Sequence, residues 1–446
     1  MSALLLQDGT PIYHTMPNSW PTGMLYGPSV VIQNWLGIMM SNHPIFGANL
    51  IGLLVACLAI GIMGWLLLTH FSRSLAWWCW VVWFAIIMLF DRASTTFTAR
   101  AGDGLMVMGM VISLAGVLSQ STRRWGLWIA AIGLGLTWGS KIHAILYWVP
   151  LLGLSWERKG RTWTIQLILI SIAITMMLHL NPFVSLGGYY YILKFASNHP
   201  LLWSNWMMNT LFMSVWALLI WGVVKMIKHP FRFNRLWVLQ VCSMGIFSVF
   251  ASKMGAGEWH FLPFFPLLVW QVGMLLEPHW ASLSKPNWLA FHGLALFASL
   301  FIMERLFIYS YVRYRLQDSQ KQESELMAIR VKFPNKSIIM GYSDPAYNEA
   351  SLMPLLYRPG QAYGWNASTL MDLKLGGWVP PTNHAEVLAQ YDLIIIPNGD
   401  QPFKVRSIYP GGDNNVFGDA FIAAFYHQFE HYKTGHYYSI WKKKGE

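Results

Sequence analysis

Carboxylates are nearly absent from the first two thirds of this chain. Residues 1–303 contain Asp8, Asp91, Asp103, Glu157, Glu258 and Glu277 and no other Asp or Glu, although the whole sequence holds 20. Between them run stretches such as NLIGLLVACLAIGIMGWLLL (49–68), and about 20 such residues cross a bilayer core. Hydrophobic residues make up 55% of the sequence and charged ones 11%, against roughly 25% charged in a globular protein. The chain reads as a mainly α polytopic membrane protein. The other fourteen carboxylates (20 less six) fall in residues 304–446. That composition shift separates a transmembrane domain, 1–312, from a soluble domain, 313–446.

About ten transmembrane helices are expected, near 46–70, 75–90, 104–120, 125–139, 142–155, 162–180, 208–226, 234–252, 260–276 and 287–312. The pair within 125–155 reads as two short helices meeting near the outer surface, and residues 24–40 as a partly buried amphipathic segment. With residue 45 outside, the inner loops hold Arg73, Arg123, Arg124, Arg158, Lys159, Arg161, Lys225, Lys228, Arg232, Arg235 and Lys285. The short outer loops hold only Arg92, Arg100, Lys141, Lys194 and Lys253. The excess of basic residues inside follows the positive-inside rule and puts the C-terminal domain outside the cytoplasm. It also puts Met1 outside with no preceding helix to carry this start across, so a first helix is expected upstream.

In the soluble part, Arg313 to Lys332 reads as a charged helical linker. SIIMG (337–341) and DLIIIPNG (392–399) read as short strands, Asp419 to Glu430 as a helix, and HYYSIWK (436–442) as a half-buried final strand. This is the pattern of a small α/β domain. Cys57, Cys79 and Cys242 lie in apolar runs, as buried small residues would, and form no disulfide or zinc pattern. The net charge of +11 does not point to nucleic acid, because no soluble segment interleaves a basic cluster with aromatics. No nucleotide-binding, zinc-protease or serine-hydrolase motif is present.

Chemistry gathers in the outer loops. SKMGAGEWHFLPFFP (252–266) puts Lys253, Glu258 and His260 between two apolar runs. Lys253 suits a phosphate as a point charge, His260 a proton or hydrogen bond, and Gly255 and Gly257 a tight turn. The plainer alternative is a connector in which Lys253 snorkels and pairs with Glu258. FTARAGDGL (97–105) offers Arg100 as a forked phosphate donor and Asp103 either as its partner or as a helix cap. WGSKIHAILYWVP (138–150) places Lys141 and His143 at a helix junction, where they converge only if the helix breaks at Gly139. GGYYYILKFASNHP (187–200) carries tyrosines suited to the membrane interface. Glu304 and Arg305 read as an ion pair within the last span.

LLQDGTPIY…GMLYGPSVV, TARAGDGLMVMGMVISLAG, GLTWGSKIHAILYWVPLLG and SKMGAGEWHFLPFFPLL occur here in an order that resembles the GT-C superfamily of polytopic glycosyltransferases, in the style of the family-39 and lipid A aminoarabinose transferase group. IIIPNGDQPF within an extracytoplasmic domain is also similar. The resemblance implies an inverting, single-displacement transfer at the inner or plasma membrane, from a polyprenyl-phosphate sugar to a lipid, glycan or protein acceptor. It implies Arg100, Lys141, His143, Lys253 and His260 for the donor phosphate and sugar, with Asp103 and Glu258 assisting in orientation or proton transfer. It names no certain cofactor and leaves a divalent metal open. The chain departs from the pattern at its start, since the acidic motif that precedes the GTPIY-like stretch falls before Met1. Either the acid lies upstream together with the first helix, which is the preferred expectation, or Asp8 or Asp103 substitutes as the catalytic base, or the chain is an inactive, truncated transferase. The rival reading is a transporter or flippase for a lipid-linked solute, disfavoured by the lack of internal repeats.

Overall fold

The computed structural model describes residues 2–13, 20, 25–41, 43–91, 102–119, 124–227, 234–283, 285–344, 352–359, 366–399, 401–407, 409 and 415–445. A short helix α1 (Ser2–Gln7) leads to α2 (Pro28–Ser41). Apolar helices then follow as α3 (Pro44–His70), α4 (Arg73–Asp91), α5 (Gly102–Leu118), α6 (Arg124–Trp138), α7 (Ile145–Lys159) and α8 (Arg161–His179). After α9 (Leu186–Ser197) come α10 (Trp203–Met226), α11 (Arg235–Phe250), α12 (Phe265–Trp280) and α13 (Lys285–Lys332). Helices therefore stand at all ten expected positions. Among the described residues four segments, Pro44–His70, Arg161–His179, Trp203–Lys225 and Glu258–Trp280, are long and apolar enough by themselves to cross a membrane.

The ends of these helices are set by local chemistry. Pro44 opens α3 and the His43 side chain accepts from Phe46 N at 3.1 Å. Ser185 caps α9 and Asn234 caps α11 in the same way. Gly160, at φ 87°, turns α7 into α8, a conformation that a side chain resists. The bundle's outer surface is apolar, with Trp65, Trp77, Leu169 and Leu218 all exposed, as lipid-facing positions are. Cys57 and Cys242 lie on that exterior and only Cys79 is buried, which corrects the expectation of three buried thiols.

Residues 28–41 form the helix α2, partly buried against α3 with Gly37 and Gly47 at the crossing, in line with the partly buried segment expected at 24–40. Two other expectations change. The 187–200 loop is largely the helix α9. The charged linker is no separate element, since α13 runs unbroken for 48 residues, about 72 Å at 1.5 Å per residue. That exceeds a hydrocarbon core of about 30 Å, so its last turns reach the C-terminal domain. There Leu326 and Ile329 are buried, and Glu325 accepts the Tyr437 and Tyr438 amides at 3.0 and 3.2 Å. Glu304 and Arg305 lie in α13, but their side chains fall outside the described set.

The C-terminal domain contains β1 (Ile338–Met340), α14 (Ala367–Leu375), α15 (His384–Leu388), β2 (Leu393–Pro397), α16 (Asp419–Gln428), β3 (Phe429–Thr434) and β4 (Tyr438–Lys443). The sheet order is β1-β2-β4-β3, with β1 parallel to β2 and the others antiparallel. The expected helix ends two residues early, and β3 was not foreseen. Only Phe429 of β3 is buried, so this edge strand carries no alternating pattern. The core of the domain also takes in residues from far upstream, including Tyr13, Trp20, Val31, Tyr189 and Ile192. Trp20 packs among Trp378, His384, Phe417 and Phe421.

At the α2–α3 crossing, a Cβ on Gly47 would lie 2.3 Å from the Gly37 carbonyl oxygen, whereas one on Gly245 would meet nothing within 4 Å. Gly47→Ala is expected to cost about 1–3 kcal/mol through overpacking. Gly245→Ala, inside α11, is expected to gain up to about 1 kcal/mol. Unfolding in detergent, followed by circular dichroism, checks the contrast.

Candidate functional site

The site is assembled by two helices that approach unusually closely. A Cβ on Gly109 would come within 2.6 Å of the Gly133 carbonyl oxygen, and one on Gly116 within 2.5 Å of that of Gly126. Ser113 seals the contact by donating to Gly109 O at 2.8 Å and to Ala130 O at 2.9 Å. These pairs make α5 and α6 antiparallel neighbours in a fixed register. Continuing that register by six residues sets Asp103 opposite Gly139, two residues before Lys141. The helix does break there, at a turn followed by the 3-10 segment Ile142–Ala144.

Lys141 Nζ donates to Asp103 Oδ1 at 2.7 Å and lies 3.3 Å from His260 Nε2. All three groups are buried, with Asp103 only 1% exposed, Lys141 8% and His260 9%. An ammonium has only donors, so His260 Nε2 must accept, and the neutral ring then carries its proton on Nδ1. The His143 ring stacks near His260, with centroids 5.8 Å apart. Three buried polar atoms around this lysine find no hydrogen-bond partner among the described residues: Asp103 Oδ2, His143 Nε2 and His260 Nδ1. Such atoms are costly to leave unmatched, which makes this end of the bundle suited to a polar ligand.

His260 is held by the Glu258–Phe264 3-10 turn, which ends where Pro266 opens α12. Its carbonyl accepts from Tyr147 Oη at 2.7 Å. Gly255, at φ 84°, reverses the chain just before this turn. Gly255 thus makes a tight turn, whereas Gly257 is extended at φ −173°. The roof over Lys141 comes from the N-terminal part. Gly27 N donates to Ser140 O at 2.7 Å and Ser29 N to Gly139 O at 3.1 Å. A Cβ on Gly27 would sit 2.2 Å from the Gly139 carbonyl. This contact brings the Tyr26 ring to 4.6 Å from Lys141 Nζ, within cation–π range.

The structure thus brings together Asp103, Lys141, His143 and His260, and adds Tyr26. It engages the others elsewhere. Lys253 Nζ donates to Ser197 O at 2.7 Å, at the C-terminal end of α9, and burial pulls its pKa down. Glu258 is half-buried at the start of the 3-10 turn. Asp8 accepts from the Tyr357 hydroxyl in the C-terminal domain. Arg100 lies outside the described residues. Among the described residues no group of three or more His, Cys, Asp or Glu side chains is placed to hold a metal ion. Tyr26 escaped the sequence reading, although it belongs to the quoted stretch GMLYGPSVV. Its nearest signal was the pair of glycines, Gly27 and Gly139, whose contact appears only in three dimensions.

Comparison with family models finds no match, and comparison with curated proteins finds none. Among solved structures the chain is similar to ArnT from Cupriavidus metallidurans bound to undecaprenyl phosphate, with a TM-score of 0.56 and 13% identity. The apo state of ArnT matches with a TM-score of 0.54 and 13% identity. Each match covers 99% of this chain and 91% of ArnT. The chain therefore shares the fold of ArnT over nearly its whole length.

The buried pair gives a direct test. Asp103→Ala leaves the Lys141 charge buried and uncompensated and is expected to cost about 3–5 kcal/mol of stability. Asp103→Leu combined with Lys141→Met is expected to recover most of it. Denaturant melts of the single and double variants check this.

Proposed function

We propose that this chain is a membrane glycosyltransferase that takes a sugar from a polyprenyl-phosphate donor. The observation that carries the reading is the lysine ringed by unmatched buried polar atoms, in a fold shared with a protein bound to undecaprenyl phosphate. Lys141 and His260 Nδ1–H supply donors for the phosphate, and His143 adds a third polar group. Asp103 holds Lys141 in place, and its second oxygen accepts from a sugar hydroxyl. Below the 3-10 turn an apolar groove lined by Trp78, Val82, Trp216, Val223, Phe265 and Leu268 suits the prenyl chain.

The step is a single displacement with inversion. The acceptor hydroxyl oxygen forms a bond to the anomeric carbon. The bond from that carbon to the phosphate oxygen breaks, its electron pair leaves with the polyprenyl phosphate, and the hydroxyl proton passes to a carboxylate. Negative charge grows on the departing phosphate, so a preorganised cation helps most in the transition state. The excess of basic residues in the loops at the other end supports an extracytoplasmic position for this end of the bundle and the C-terminal domain, at the inner or plasma membrane.

Purified protein in nanodiscs is expected to bind undecaprenyl phosphate and to release it from undecaprenyl-phosphate sugars when an envelope extract supplies acceptors. Lys141→Met removes a charged hydrogen bond worth about 1.5–3 kcal/mol, so affinity for undecaprenyl phosphate should fall about 10- to 100-fold. Unchanged affinity in this variant would remove the phosphate assignment. Wild-type protein that neither binds the lipid nor turns over any donor would remove the transferase reading.

A further inference from the structure

The loop that carries His260 is fastened by a side chain of α10. Lys253, Met254, Gly255 and Ala256 form a tight turn, in which Ala256 N donates to Lys253 O at 3.0 Å. Gly255, third in the turn, has φ 84°, a positive value of the sort that glycine supplies at that position. Asn205, in the first turn of α10, donates from Nδ2 to two carbonyls of this turn, Lys253 O at 3.1 Å and Ala256 O at 3.3 Å. An amide nitrogen carries two hydrogens, so one side chain serves both. α10 is otherwise apolar enough to cross a membrane, and a polar amide in such a helix is costly unless it is bonded.

From this turn to the lysine every step is a direct contact. Gly257 follows Ala256 in extended backbone, and its carbonyl accepts from His260 N at 3.1 Å. His260 Nε2 then lies 3.3 Å from Lys141 Nζ. The His260 carbonyl is held from the other side by Tyr147 Oη at 2.7 Å. Other ties to the loop act earlier in the chain. Leu202 N donates to Ser252 O at 2.8 Å and Met254 N to Pro200 O at 2.9 Å. The Tyr409 ring covers Gly255, where a Cβ would lie 2.8 Å from its hydroxyl oxygen. Of these contacts on the loop, the bond from Asn205 to Ala256 O is the one nearest His260 in sequence.

We propose that Asn205 is a positioning residue for the donor phosphate: by closing the 253–256 turn it fixes the backbone on which His260 stands. This rests on the transferase reading above. Asn205 acts through the His260 ring and not on the lipid itself. The His260 Nδ1–H keeps one aim only while its backbone is held at both ends, by Tyr147 at the carbonyl and by Gly257 at the amide. Without the Asn205 amide, two carbonyls lose their donor and the turn at Gly255 is free to open. Lipid binding must then order the loop as well as engage the phosphate, and that ordering is subtracted from the affinity. A residue that merely stabilised the fold would weaken binding to the same degree whether or not His260 were present.

The test uses the full chain in nanodiscs with undecaprenyl phosphate as the probe. Asn205→Leu is expected to weaken its binding about 3- to 10-fold, as the loss of a neutral hydrogen bond does. Without ligand, amide hydrogen exchange across residues 253–260 is expected to speed up in the same variant. In a His260→Ala background, Asn205→Leu is expected to change the affinity by less than about two-fold, because the two residues act as one unit. If Asn205→Leu does not fold, Asn205→Ser gives the same readouts, since its short hydroxyl cannot serve both carbonyls. An affinity within about two-fold of wild type, despite faster exchange in the loop, would overturn the proposal and leave the phosphate site standing. An equal loss with and without His260 would also overturn it, by making Asn205 a structural contact only. Wild-type protein that binds no undecaprenyl phosphate would sink the transferase reading and this proposal together.

Discussion

Everything at the candidate site depends on the close contact of α5 with α6. Glycines seven residues apart on each helix remove the side chains that would hold the two axes apart. At that distance the start of one helix and the end of the other share a small volume, and the Asp103–Lys141 ion pair fills it. A buried pair of this kind adds little net stability, because desolvation offsets most of the attraction. Its value is positional. It holds an ammonium inside an apolar bundle, near the surface where a lipid phosphate would arrive.

A second constraint ties the two parts of the molecule together. The N-terminal residues do not form a free arm. Tyr13 donates to the Tyr26 carbonyl, the Gly27 amide is bound to the α6 end, and Trp20 is buried among aromatics of the C-terminal domain. The domain itself rests on α9 and on the end of α13. Its core is thus shared with segments hundreds of residues upstream.

Much of this was legible in the sequence. Long apolar runs fix helices by length alone, and the ten helical positions followed from them. Lys141, His143, Asp103 and His260 stood out because ionisable groups in an apolar chain are costly. Lys253, chosen by the same reasoning, uses its long stem to reach a helix-end carbonyl, that of Ser197. Tyr26 looked like one aromatic among many until two glycines closed over it. The edge strand β3 was missed because only one of its residues enters the core.

The central claim is that the Lys141 group receives the donor phosphate. The most direct measurement is a cryo-EM structure of the full chain in nanodiscs with undecaprenyl phosphate. The account predicts phosphate oxygens at hydrogen-bond distance from Lys141 Nζ, about 2.7–3.2 Å, with the His260 ring turned toward them. A phosphate bound elsewhere, at Lys253 for example, with the Lys141–Asp103 pair undisturbed and its neighbouring polar atoms matched only by water, would contradict it.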